Sequence, residues 1–124
     1  NGKLYDASGN IEGQESGGLP QGFTFGHELS AGDVNKDGFP DIYTGGCLFL
    51  NDGTGKFSNA TNQLPVQMRS SQIYIMQSMI GDLDGDGIGD LIAAYGDAPG
   101  NPSGYILLSK GQNNIAQRTL IPLP

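Results

Sequence analysis

The chain has 124 residues, enough for one domain of ordinary size, with a hydrophobic share of 36%, no Trp, 21 Gly and 7 Pro. Its 13 acidic and 6 basic residues leave a net charge of −7, and the absence of a Lys/Arg stripe argues against nucleic acid as a partner. No stretch approaches the ~20 apolar residues needed to span a bilayer, so no membrane insertion is expected.

The glycine excess lacks collagen's three-residue period. That leaves disorder or an all-β chain punctuated by tight turns, and short β-branched and aromatic runs favour turns. The chain opens on Asn1 with no initiator Met, as expected of a mature product or a segment of something longer. "NGKLYDAS" (1–8) aligns with "TGKFSNAT" (54–61), glycine on glycine and lysine on lysine. Residues 1–8 are therefore expected to be the last strand of a preceding unit, with 9–22 as a linker.

The first full unit is expected over 23–65. "FTFGHELSAGDVN" leads into an acidic loop at 33–41, "DIYTGG" and "CLFLN" follow as strands, and "NDGTGKFSNAT" turns into a fourth. After a linker at 66–71, the second unit, 72–124, repeats the order. "IYIMQSMIGDLD" enters a loop at 82–90, "DLIAAYG" and "YILLS" are strands, and "KGQNNIAQRT" supplies the turn. Asn-Asp-Gly and Lys-Gly between apolar runs are hairpin signals. No window carries a 3.6-residue apolar period, so no long helix is expected. Four-stranded antiparallel sheets at a period of 40–50 residues are the mark of β-propeller blades. Two blades and a leading strand do not close a ring. An incomplete propeller, or a protomer that exchanges strands through residues 1–8 into a ring or filament, is the expected consequence.

Asp33 and Asp82 open the acidic loops 49 residues apart, and the loops hold seven of the 13 acidic residues. Crowded like charge asks for a cation. Hard cations such as Ca²⁺ take six to eight oxygens, and alternate residues of a tight loop point inward together. In the second loop Asp82, Asp84 and Asp86 stand at positions 1, 3 and 5, Gly87 permits the bend, the Ile88 carbonyl serves at 7 and Asp90 at 9. In the first loop the same positions are Asp33, Asn35, Asp37, Gly38, the Phe39 carbonyl and Asp41.

An EF-hand fails because its position 12 requires Glu between two helices, whereas Thr44 and Ala93 stand there on strand-like segments. A dockerin module also wants helices and a shorter period. Mg²⁺ prefers rigid octahedra, and Zn²⁺ lacks its usual ligands. Two Ca²⁺ sites are expected, the Asp82 site tighter because it has four carboxylates against three.

Phe25-Gly26, the two loops, Ala98-Pro99 and Ser103-Gly104 together resemble the FG-GAP/VCBS repeat family, the blades of integrin-α-like propellers. The first unit lacks the family's proline, and Met79-Ile80 stand where the second would have Phe-Gly. The resemblance implies calcium between the first and second strands of each blade, held by positions 1, 3, 5, 7 and 9. It also implies an extracellular or cell-surface setting and a role in adhesion or recognition.

Catalysis is not expected. All seven loop carboxylates fit ligand positions, His27 beside Glu28 reads as a strand histidine, and there is no nucleophile elbow or phosphate-binding glycine motif. The expected function is a calcium-stabilised structural or adhesion module, with other blades or copies of itself as partners and an extracellular protein or glycan as ligand. A lectin-like propeller is the alternative, with Tyr43, Tyr74, Tyr95 and Tyr105 either lining a site or packing between strands. An accessory segment of a secreted carbohydrate-active enzyme is a third. Asn59-Ala60-Thr61 is an N-glycosylation sequon, and Cys47 reads as a small buried hydrophobe.

Overall fold

A computed structural model describes residues 8–11, 28–69, 75–96 and 102–124. The expected leading strand lies outside these residues except for Ser8, which opens a 3-10 turn, Ser8–Asn10. The segment 23–27, with Phe25, Gly26 and His27, and residues Tyr74, Ala98 and Pro99 lie outside them too. Ile11 forms an isolated parallel bridge with Phe57.

The described chain is built of two four-stranded antiparallel sheets, each in simple up-and-down order. The first contains β1 (Leu29–Gly32), β2 (Asp41–Thr44), β3 (Cys47–Asn51) and β4 (Phe57–Asn59). The second contains β5 (Ile75–Gly81), β6 (Asp90–Tyr95), β7 (Gly104–Leu108) and β8 (Thr119–Leu123). The only helical pieces among the described residues are 3-10 turns, Thr61–Gln63, Val66–Met68 and Ile115–Gln117 besides the first. The all-β, blade-type architecture expected from the sequence is the one observed. No helix of the described residues is long and apolar enough to cross a membrane.

Tight turns set the register. Between β2 and β3 the loop is Gly45-Gly46, with φ of 53° and 78°, the left-handed pair that a two-residue hairpin with the right twist requires. The Lys-Gly signal after β7 is answered differently. Lys110 and Gly111 do turn, with φ of 48° and 79°. However, β8 begins only at Thr119, after the Ile115–Gln117 turn, whose cap is Asn114 accepting from the Ala116 N–H. The extra residues bury Ile115, so the connection doubles as a piece of core.

The core lies between the sheets. Tyr43 pairs with Leu48 in the first sheet, and Leu91 pairs with Leu107 in the second. These side chains join Val34, Ala60, Leu64, Met68, Ile75, Ala93 and Ile115 in one buried cluster. The Tyr43 hydroxyl donates to the Met68 carbonyl at 2.9 Å, and the Tyr95 hydroxyl donates to the Gln67 carbonyl. Tyr95 meets Tyr105 edge to face at 5.8 Å, so the described tyrosines take part in packing. Cys47 is buried at the head of β3.

The second sheet has another apolar row on its opposite face. Met79, Ile92, Ile106 and Ile121 are successive cross-strand partners, and Met79 is 47% exposed.

Gly104 begins β7 opposite Ala94, and a Cβ there would lie 2.2 Å from the Ala93 carbonyl oxygen. Gly104→Ala is expected to cost about 1–3 kcal/mol through forced backbone displacement. Gly9→Ala, which meets nothing within 4 Å, stays within about 0.5 kcal/mol. Urea unfolding followed by circular dichroism checks both, and an unperturbed Gly104→Ala would contradict the β6–β7 register.

Candidate metal loops

Each acidic loop joins the first strand of its sheet to the second, β1 to β2 and β5 to β6. The opening aspartate shapes it from within. Asp82 Oδ1 accepts from the Gly85 and Asp86 N–H groups, and its Oδ2 accepts from Gly87 at 2.9 Å. Asp33 does the same with Asp37 and with Gly38 at 2.8 Å. Position 5 then holds position 7: Asp37 Oδ1 accepts from Phe39 N, and Asp86 Oδ1 from Ile88 N.

Positions 4 and 6 are both left-handed. Gly38 and Gly87 occupy position 6 with φ of 88° and 81°, while position 4 is Gly85 at 78° in one loop and Lys36 at 63° in the other. A side chain is strained in that region. Lys36 turns the conformation to use, since its Nζ donates to the Asp86 carbonyl in the other loop at 3.3 Å.

The position 9 aspartates are fully buried. Asp90 Oδ2 accepts from Leu83 N and its Oδ1 from Ser109 N, both at 2.7 Å. Asp41 repeats this with Val34 N and Asn51 N, both at 2.9 Å. Each carboxylate therefore ties its own loop to the end of the third strand. Each oxygen keeps a further lone pair, so this bracing leaves acceptor capacity for a cation. Burial pushes the Asp41 carboxyl up, and the Asn51 and Val34 N–H groups pull it down.

Ligand atoms of Asp82, Asp84 and Asp86 all lie within 4.8 Å of one another. Oxygens on opposite sides of a Ca²⁺ are about 5 Å apart, so the three fit one ion. In the first loop position 3 is an amide, and the Asn35 Nδ2 donates to Asp37 Oδ2 at 2.8 Å while its Oδ1 accepts from Asp37 N at 3.2 Å. That amide takes up carboxylate capacity which a cation would otherwise use. The Phe39 ring is stacked close to Gly53, where a Cβ would meet it at 2.5 Å. Asn59 is exposed on β4, and its Oδ1 accepts from Thr61 N at 3.0 Å.

Three contributors were missed by reading for carboxylates alone. The Ser109-Lys110-Gly111 turn reaches back to the second loop, with the Ser109 hydroxyl and Gly111 N–H on Asp86 and Lys110 N on Asp84. The Ser109 hydroxyl is the largest influence holding the Asp86 carboxyl below its ordinary value. Gly89 N donates to the Asp33 carbonyl at 2.8 Å, so the loops touch backbone to backbone. A Cβ on Gly89 would sit 2.6 Å from that oxygen. Arg118, buried just before β8, donates to the Gly89, Val34 and Gln112 carbonyls. In the sequence, the second half of "KGQNNIAQRT" reads only as a turn.

Two antiparallel four-stranded sheets, each with an acidic loop between its first two strands, define a protein of propeller-type blades. Residues 25–55 match the FG-GAP repeat family, a stretch that takes in the first acidic loop and the first three strands. Integrin alpha-4 of Xenopus laevis is 28% identical over 113 residues, covering 79% of this chain and 11% of the relative. The chain thus spans about a ninth of that relative's length. No solved structure matches.

Two outcomes are expected. Arg118→Met leaves three carbonyls without their charged donor and costs about 3 kcal/mol in chemical denaturation; a loss under about 1 kcal/mol would show that the loops hold together without it. Ser109→Ala raises the Asp86 pKa toward the ordinary carboxylate value in an NMR titration, and an unchanged value would remove the hydroxyl as the cause.

Proposed function

We propose that the chain is a calcium-braced extracellular adhesion or recognition module, working as blades within a larger propeller or an assembly of copies, and without enzymatic activity. The observation that carries this reading is the convergence of Asp82, Asp84 and Asp86 oxygens within 4.8 Å, in a loop whose design recurs at Asp33. The FG-GAP match to the first blade and the likeness to an integrin alpha chain support the setting.

In this reading Asp82, Asp84, Asp86, the Ile88 carbonyl and Asp90 hold one Ca²⁺, and Asp33, Asn35, Asp37, the Phe39 carbonyl and Asp41 hold a second. The ion neutralises carboxylates that would repel at a few ångströms, and it fixes a loop whose glycines make ordering costly. The apolar row Met79, Ile92, Ile106 and Ile121 is the face that a further blade covers, from the same protein or another copy. Exposed Asn59 is the expected carrier of an N-glycan.

Calorimetric titration with Ca²⁺ tests the reading. Two binding events are expected, the tighter lost in Asp86→Asn and the weaker lost in Asp37→Asn. At a free Ca²⁺ concentration of 100 times the dissociation constant, each event stabilises the fold by about 2.7 kcal/mol. Absence of saturable heat in folded protein would reject calcium. A tighter event that survives Asp86→Asn and disappears in Asp37→Asn would reverse the ranking.

A further inference from the structure

The position 5 aspartates of the two loops receive their donors from different places. In the first loop the donor is internal: Asn35 Nδ2, at position 3, reaches Asp37 Oδ2 at 2.8 Å. In the second loop position 3 is Asp84, a carboxylate with no N–H to give. The donors to Asp86 Oδ2 come instead from beyond β7, from the Ser109 hydroxyl and the Gly111 N–H. Between them, Lys110 N donates to Asp84 Oδ2 at 3.2 Å.

The turn is shaped for that reach. Lys110 and Gly111 are both left-handed, with φ of 48° and 79°, and Gln112 N closes the turn on the Ser109 carbonyl at 2.9 Å. Lys110 thus holds a side chain in a region that disfavours one. In return, successive N–H groups of such a turn form a concavity that accepts anionic oxygens. The first blade spends its equivalent residue elsewhere. Asn51 corresponds to Ser109, because each N–H holds the position 9 aspartate of its blade. The Asn51 amide, however, donates to the Pro40 carbonyl and accepts from Gly53 N.

We propose that the Ser109-Lys110-Gly111 turn is a positioning element of the second loop, a role that rests on these loops holding calcium, and that the tighter binding expected there depends on the Ser109 hydroxyl. Asp84 and Asp86 are like charges two residues apart, and unopposed repulsion would turn them away from one another. With the turn in place, Asp86 Oδ2 is filled by two donors, while Asp84 Oδ1, Asp84 Oδ2 and Asp86 Oδ1 accept one each. Those three oxygens keep a lone pair apiece for a cation. Outer partners that orient a ligating carboxylate raise metal affinity, because the ion does not have to order it. The extra carboxylate of the second loop is therefore an advantage only while the turn holds it.

Calorimetric Ca²⁺ titration of the full chain, as wild type, Ser109→Ala, Asp84→Asn and the double variant, tests this. Ser109→Ala is expected to weaken the tighter event about tenfold or more and to leave the weaker event unchanged. Asp84→Asn gives the second loop an amide that can serve Asp86 as Asn35 serves Asp37. In that background the further change Ser109→Ala is expected to cost under about threefold, whereas a merely structural contact would cost the same in both. Hydrogen exchange on the wild type decides the matter even if Ser109→Ala fails to fold: calcium is expected to slow exchange of the Lys110 and Gly111 N–H groups. Unchanged or faster exchange there would mean that the ion ignores or displaces the turn, and would overturn the proposal. So would a tighter event unmoved by Ser109→Ala, or equal losses in the two backgrounds, and in these cases the calcium reading would stand. Absence of saturable heat in the folded wild type would instead reject the calcium reading, and this role with it.

Discussion

A buried aspartate that closes its own loop is the constraint on which both blades depend. Asp41 and Asp90 are removed from solvent, and each spends one oxygen on the residue after the loop's first aspartate and the other on the end of the third strand. Burying a carboxylate is costly unless its acceptors are satisfied. The second strand can therefore begin at Asp41 or Asp90 only if the loop folds back and the third strand arrives in register. One side chain couples the loop, the hairpin and the sheet. A cation in the same loop would add to this geometry without having to create it.

The two blades are joined through these loops as well as through their apolar faces. Gly89 meets the Asp33 carbonyl, Arg118 holds Val34 and Gly89 together, and Lys36 reaches Asp86. Burial lowers the Arg118 pKa below its usual value while Asp90, Asp86 and Asp84 oppose the shift, so a cationic side chain stands beside the acidic loops without occupying a ligand position. The loop ends of the blades are thus tied by polar contacts, and the sheets between them by Tyr43, Leu48, Leu91 and Leu107. Polar ties compensate for a composition with little to bury.

Much of this was legible in the sequence because it is written in period and spacing. The 49-residue echo, the alternating loop oxygens and the Asn-Asp-Gly hairpin signal each require particular residues at particular offsets, so the strands and both loops could be read from the chain. The work of Asp41 and Asp90 was only partly legible: position 9 read as a ligand, whereas its bonds to Asn51 and Ser109 depend on the third strand's register, which no local pattern encodes. Arg118 was illegible for the same reason. It acts at Val34, 84 residues away, and an arginine in a polar turn carries no sign of its partner. Glu28 read as a neighbour of His27, because the loss of solvent from its oxygens is a property of packing.

The same logic separates the two ends of the blades. At the loop ends, carboxylates are crowded but satisfied, since N–H groups of the loop itself, the third strand and the next turn converge on them. At the opposite end a single carboxylate, Glu28, is buried without any partner. Crowding at the loops is relieved in part by backbone donors, and the lone pairs that remain are what a cation would take. The acidic loops are therefore the framework of each blade, with lone pairs left over for a cation, while the buried Glu28 oxygens are a cost that the packing before β1 carries.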